Sequence, residues 1–199
     1  MSRLILASQS SSRKAMLEAA GVPFDAEAPG VDEEAAKAAF RADGLDGRGI
    51  ADALAELKAV KISRRHPDAL VLGCDSTVQA ADGALLDKAE SREESREQLL
   101  ALAGTTHRLA SAAVVAFAGQ PIWRHVDVAK LTMRPFSEAF LDSYLDAEWP
   151  AIGGCVGGYR IEGLGAQLFA RIEGSQFTIM GLPLLPLLDW LRIRGVIAA

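Results

Sequence analysis

Apolar and polar positions along this chain switch between a period of two and a period near 3.6. Leu4–Ala7 is an apolar run that stops at Ser8-Gln9-Ser10-Ser11-Ser12. From Arg13 onward Met16, Leu17 and Ala20 share one helical face, and Gly21 and Pro23 end it. The pattern predicts a strand, a Ser-rich turn and a helix. A second strand is expected over residues 23–28, then an acidic loop at Asp32-Glu33-Glu34, while residues 34–47, broken by Gly44 and Gly47, take no clear assignment. Residues 50–63 place Ile50, Ala53, Leu54, Leu57 and Val60 at helical spacing before Arg64-Arg65-His66-Pro67. A basic last turn suits the helix dipole, and proline prevents continuation. Residues 69–74 read as a buried strand with Asp75-Ser76-Thr77 at its C-terminal end, and Ala81-Asp82-Gly83 as a turn.

Ser91-Arg92-Glu93-Glu94 forms a capping box that opens a helix running to Gly104. Residues 107–117 and 121–133 read as two long strands joined at Gly119-Gln120. A helix follows from Ser137 to near Trp149-Pro150, then the flexible backbone of Gly153-Gly154-Cys155-Val156-Gly157-Gly158. Two more helices are expected at 164–172 and 182–194. No repeat, linker or domain boundary is legible. The class is α/β with parallel and antiparallel pairing.

Half of the 199 residues are apolar, enough for a substantial core. Lys and Arg total 21 against 26 Asp and Glu, a net charge of −5, so no global basic field invites a nucleic-acid polymer or an anionic membrane. Any anionic ligand must be met by local groups. The two cysteines, Cys74 and Cys155, make neither a disulfide framework nor a metal motif, which suits a reducing compartment. The apolar run over residues 109–119 is far below the roughly 20 residues of a membrane span. The start, Met1-Ser2-Arg3 and then only four apolar residues, lacks the long apolar region of a signal peptide. A soluble, cytoplasmic protein without membrane contact is the expectation.

Ser8, Ser10, Ser11 and Ser12 precede a helix, where free N–H groups and the dipole favour an anion. Arg13 and Lys14 oppose that dipole, and a bound phosphate would give them a reason. Simple serine capping is the competing account. The loop is no Walker A, lacking its glycine spacing. Asp75 stands where open α/β sheets place ligands, with Ser76 and Thr77 as hydrogen-bonding neighbours. Lys58, Lys61 and Lys88 are candidates that periodicity does not separate, and Lys61 falls nearer the middle of the apolar stripe than Lys58. Glu33 could hold Mg²⁺ beside a phosphate or simply face water. Glu162 could fix a polar ligand edge. His66, His107 and His125 show no metal spacing, no GxSxG elbow occurs, and Cys74 reads as a small buried hydrophobe.

Leu4-Ile5-Leu6-Ala7-Ser8-Gln9-Ser10-Ser11-Ser12-Arg13-Lys14, Val31-Asp32-Glu33 and Leu54-Ala55-Glu56-Leu57-Lys58-Ala59 together resemble the Maf family of nucleoside triphosphate pyrophosphatases. So do Leu72-Gly73-Cys74-Asp75, Asp82-Gly83 with Lys88, Gly104-Thr105-Thr106-His107, Glu162-Gly163, Ile172-Glu173-Gly174 and Gly181-Leu182-Pro183-Leu184. The resemblance implies one Maf-like domain over residues 1–199, with two lobes around a central nucleotide cleft, an elongated mixed sheet flanked by helices, and a homodimer. It is a fold shared with ITPase-like proteins. It implies hydrolysis of a nucleoside triphosphate to monophosphate and pyrophosphate with Mg²⁺ or Mn²⁺, a house-cleaning role in nucleotide metabolism. Carried over by position, Ser8, Ser10, Arg13 and Lys14 would hold phosphates. Glu33 and Asp75 would serve the metal and the attacking water, with Asp75 the proton acceptor, and Lys58 and Lys88 would neutralise phosphate charge. Ser12, Ser76, Thr77 and Glu162 would contact the substrate, Ser12, Ser76 and Glu162 at positions that tune base choice.

Ser11-Ser12 replaces the commoner Pro-Arg, Ala89 replaces proline, and Glu162 stands where glutamine is usual. With Ser76, that glutamate looks closer to the subgroup acting on 7-methyl-GTP than to the dTTP/UTP subgroup. The alternative reading is a weakly active or inactive nucleotide-binding regulator of cell division.

Overall fold

The structure, a computed structural model, describes residues 3–198; Met1 and Ser2, which open the signal-peptide reading, lie outside the described residues. Its strands form one seven-stranded mixed sheet in the order β2-β1-β3-β5-β6-β7, with β4 paired to β3. The chain divides into two compact units, one of residues 1–76, 111–127 and 181–199, the other of 77–110 and 128–180. No boundary is legible in the sequence because three of the crossing points fall inside strands, not in linkers.

In the first unit β1 (Leu4–Ala7) leads through a short turn to α1 (Ser11–Ala19), as the pattern predicts. The expected strand at 23–28 shrinks to β2 (Asp25–Ala26), which pairs parallel with β1. The expected acidic loop is a helix start. Asp32 caps α2 (Glu33–Ala42), its carboxylate accepting from the Ala35 N–H at 3.0 Å, with Glu33 and Glu34 in the first turn. The acidic run therefore complements a helix dipole, and the unassigned stretch after it is mostly that helix. α3 (Gly47–Ser63) follows, capped by Asp46. β3 (Leu70–Gln79) is longer than the expected 69–74. Its register with β1 runs parallel from Leu4↔Leu70 to Ala7↔Gly73. Asp75 thus sits mid-strand, just past the carboxyl end of its neighbour. α7 (Leu184–Ile193) begins two residues later than expected, after Pro183.

The second unit holds β4 (Leu85–Leu86), α4 (Arg92–Leu102), α5 (Glu138–Glu148) and a short α6 (Gln176–Ile179). It also takes the start of β5 (Thr106–Phe117) and the end of β6 (Gln120–Met133), which Ala118-Gly119 joins with positive φ at both residues. The helix expected at 164–172 is absent. A 3₁₀ turn at Leu164–Leu168 gives way to β7 (Phe169–Glu173), antiparallel to β6. Over so short a run, helical and strand periods are indistinguishable, and pairing with β6 decides the matter. Leu99, Leu102, Leu131, Met133, Leu141 and Leu145 make this unit's core. No described helix is long and apolar enough to cross a membrane.

Candidate active site

Ser10 caps α1, its hydroxyl accepting from the Arg13 N–H at 3.4 Å. The buried Ser8 hydroxyl accepts from the Ser10 N–H at 3.2 Å. No acidic residue complements the first turn of α1. Arg13 folds back over the end of β1 and donates four hydrogen bonds. Nη1 reaches Ser8 Oγ at 3.3 Å and the Cys74 carbonyl at 3.1 Å, Nε the Gly181 carbonyl at 2.8 Å, and Nη2 Ser76 Oγ at 3.1 Å. These bonds occupy most of a guanidinium's five donors. Arg13 therefore clasps both chain neighbours of Asp75 to the Ser8 turn. Ser12 and Lys14 stand half-buried in the same helical turn, and among the described residues no side-chain hydrogen bond or ion pair holds them.

Gly73 explains how Asp75 meets Lys58. A Cβ on Gly73 would lie 2.1 Å from the Ala55 carbonyl oxygen and 2.6 Å from the Ala59 nitrogen, so the backbone of α3 presses directly on β3. Side chains two apart on a strand face the same way, so Asp75 also faces α3. There the row Ile50, Leu54, Lys58, Ile62 is buried. Lys58 is the functional candidate, and Lys61 is exposed, spent on the Gly30 carbonyl. The Lys58 ammonium lies 2.6 Å from Asp75 Oδ1 and 2.8 Å from Glu33 Oε1, with Lys58 and Asp75 both about 95% buried. Asp75 Oδ2 is buried and has no hydrogen-bond partner. Two carboxylates around one ammonium leave a net negative, oxygen-rich point with an unused acceptor. The Cys74 thiol is fully buried, and burial pushes its pKa up to about 11. It is a packing residue and no nucleophile.

Of the other candidates, Thr77, Lys88 and Glu162 belong to the second unit. Thr77 is buried on β3, and Lys88 and Glu162 are exposed. Lys88 bridges Val156 through its backbone, and Lys88, Arg160 and Glu162 all act electrostatically on Cys155, whose thiol burial pushes up. Three participants have no role in the sequence reading, although Gly181 stands in one of its motifs. Gly181 adopts φ +101°, and a Cβ there would crowd Arg13 Nε at 3.3 Å. Ser111, fully buried on β5, lies 2.7 Å from Ser76 Oγ. The buried Glu148 accepts from Arg160 Nη2 at 2.7 Å and from the Leu164 N–H at 3.3 Å, bracketing Glu162. A lone hydroxyl inside an apolar run was the legible sign of Ser111. A groove of about 730 Å³ along α3, lined by Phe40, Leu57, Val60 and Arg124 among others, shares no residue with the Ser8–Asp75 group.

The sequence profile of the family described as Maf-like protein matches residues 3–193. A protein from Sphingopyxis alaskensis named nucleoside triphosphate pyrophosphatase is 54% identical over 193 residues, 97% of this chain and 98% of that one. A protein of the same name from Caulobacter vibrioides is 55% identical over 192 residues, 96% of each chain. Among solved structures, a HAM1 protein from Coxiella burnetii aligns with TM-score 0.44 at 16% identity, over 67% of this chain and 73% of that one.

Proposed function

This chain belongs to the Maf-like protein family, and from that premise we propose that it is a hydrolase converting a nucleoside triphosphate to the monophosphate and pyrophosphate. One observation carries the reading. A buried lysine bridges two carboxylates, one with an unpartnered oxygen, at the mouth of a serine-rich helix start. Binding needs positive groups, but a buried acid with a spare acceptor is what proton removal needs.

In this reading the triphosphate meets the N–H groups and hydroxyls of residues 8–14, with Lys14 adding charge. Arg13, largely committed to the protein, holds the turn in shape. Water attacks the α-phosphorus, forming one P–O bond as the bond to the bridging oxygen breaks and pyrophosphate leaves. Asp75 Oδ2 takes the water's proton. Lys58 fixes the carboxylate's orientation through Oδ1. Positioning and charge neutralisation carry most such chemistry.

The family implies a divalent cation. Among the described residues no group of three or more His, Cys, Asp or Glu side chains gathers as a metal site. Two carboxylates and the unused Asp75 Oδ2 nonetheless fit Mg²⁺ or Mn²⁺, which takes one or two carboxylates together with substrate phosphates. Glu33 would hold it with the substrate phosphates, and Asp75 Oδ2 would be a ligand only where it is not the proton acceptor; when bound the cation would offset phosphate charge and polarise the phosphorus. For the base, the Glu162 carboxylate favours 7-methyl-GTP or GTP, whose N1–H and amine it could accept, over dTTP and UTP.

The test is pyrophosphate release from dTTP, UTP, GTP and 7-methyl-GTP with Mg²⁺ and Mn²⁺. Asp75→Asn should keep the circular dichroism of the parent and lose at least about a hundredfold in kcat. Undiminished release by that variant removes Asp75 from the reaction. Binding of every triphosphate without release overturns the enzyme reading.

A further inference from the structure

Ser111 stands out because it has no place in the reaction above. It is a hydroxyl buried to 0% exposure within the apolar stretch of β5, flanked by Ala110 and Ala112. Its Oγ is 2.7 Å from Ser76 Oγ, and Ser76 Oγ is 3.1 Å from Arg13 Nη2. All three belong to the first unit.

The direction of this chain follows from donor arithmetic. An arginine can only donate, so Ser76 Oγ accepts from Arg13. A hydroxyl has one proton and two lone pairs. If Ser111 also donated to Ser76, both lone pairs would be filled, and the Ser76 proton would point outward. If Ser76 donates to Ser111, the bonds run head to tail, and one lone pair faces outward. Donation by a cation withdraws electron density from Ser76 Oγ and makes its own proton the better one to donate, so the head-to-tail order is favoured. Gly181 closes the other side, since even a Cβ there would stand 3.4 Å from Ser76 Oγ.

We infer that Ser111 is a positioning residue that takes the Ser76 proton. Ser76, half-buried next to Asp75, then meets the nucleotide as an acceptor only. The group it recognises is a donor, an N–H of the base or an O–H of the sugar. This inference rests on the nucleotide reading above. It predicts that specificity depends on a residue that touches no substrate.

The experiment compares kcat and KM for GTP, ITP, UTP and dUTP in the parent, Ser111→Ala, Ser76→Ala and the double variant. Ser111→Ala removes one oxygen, and its melting temperature is recorded alongside. ITP against GTP reports a base amine, and dUTP against UTP a sugar hydroxyl. Ser111→Ala should change one of those two kcat/KM ratios by about three- to tenfold, chiefly through KM. The change should vanish in the Ser76→Ala background, because coupled residues are not additive. Ser111→Thr, which keeps the hydroxyl, should restore the ratio. An equal loss on all four nucleotides, or an undiminished effect without Ser76, overturns the proposal alone. A parent that releases pyrophosphate from none of them, nor from dTTP or 7-methyl-GTP, overturns the function reading and this inference with it.

Discussion

At the scale of single residues, the Lys58 ammonium holds two jobs that mutagenesis can separate. It sits 2.6 Å from Asp75 and 2.8 Å from Glu33, at a point where neither its own charge nor that of Asp75 is hydrated. Removing one member of a buried ion pair typically costs about 3–5 kcal/mol, because the survivor keeps its desolvation cost without its partner. Lys58→Met should therefore lower both melting temperature and turnover. Lys58→Met combined with Asp75→Asn removes the stranded charge, so melting temperature should recover in part while turnover stays lost. Thermal melts beside pyrophosphate release decide it, and a double variant less stable than Lys58→Met contradicts the assignment. The residues of this trio were all legible by type, yet periodicity does not separate Lys58 from Lys61, which falls nearer the middle of the apolar stripe. Counting Leu57 and Val60 into the apolar stripe drew it one side too far. The true row of 50, 54, 58 and 62 is fixed by contact with β3, which periodicity does not contain.

At the scale of elements, the site depends on how closely α3 lies against β3. Gly73 has no side chain where Ala55 O and Ala59 N approach, and a methyl there would sit 2.1 Å from backbone, which no rotamer change relieves. Gly73→Ala should push α3 off the strand, costing about 2 kcal/mol or more in the range of overpacked cores. In the protein that remains folded, turnover should fall too, since Lys58 rides on the displaced helix. Gly154→Ala is the matched control: a Cβ there meets nothing within 4 Å, and its φ is not positive. Denaturant melts of both variants, with activity normalised to folded protein, test this. Equal stability of the two would mean that α3 gives way easily. Elements that carry their own signals, such as β1 with its serine turn, were readable in the sequence. The 3₁₀ turn and β7 were not, because a nine-residue apolar pattern from Leu164 fits helix and strand alike, and the choice lies with β6.

For the molecule as a whole, the family and the general chemistry were legible because short motifs keep their order along nearly the entire chain. The limits of the two compact units were not, since strands run through them without any change in composition. Nor was the fate of His107, which no local pattern sets. It lies almost fully buried, Nε2 2.9 Å from the Tyr159 hydroxyl, Nδ1 buried without a partner. Burial disfavours the imidazolium and lowers its pKa from 6.5 to about 4. In the unfolded chain the same ring charges as pH falls through about 6.5. Between those values the unfolded state binds a proton that the folded state refuses, so stability is full above pH 6.5 and drains away toward pH 4. Below that the loss levels off, at most about 3 kcal/mol from this one group. His107→Gln, which cannot charge, should lower the melting temperature at pH 7.5 through imperfect packing. Its decline from pH 7 to 4 should be shallower than the parent's, so the gap narrows or reverses in acid. Since every other carboxylate and histidine is common to both proteins, the difference of the two melting curves against pH isolates the ring. A constant difference across that range would show that His107 binds its proton equally well in the folded protein and the unfolded chain, and would overturn the burial argument.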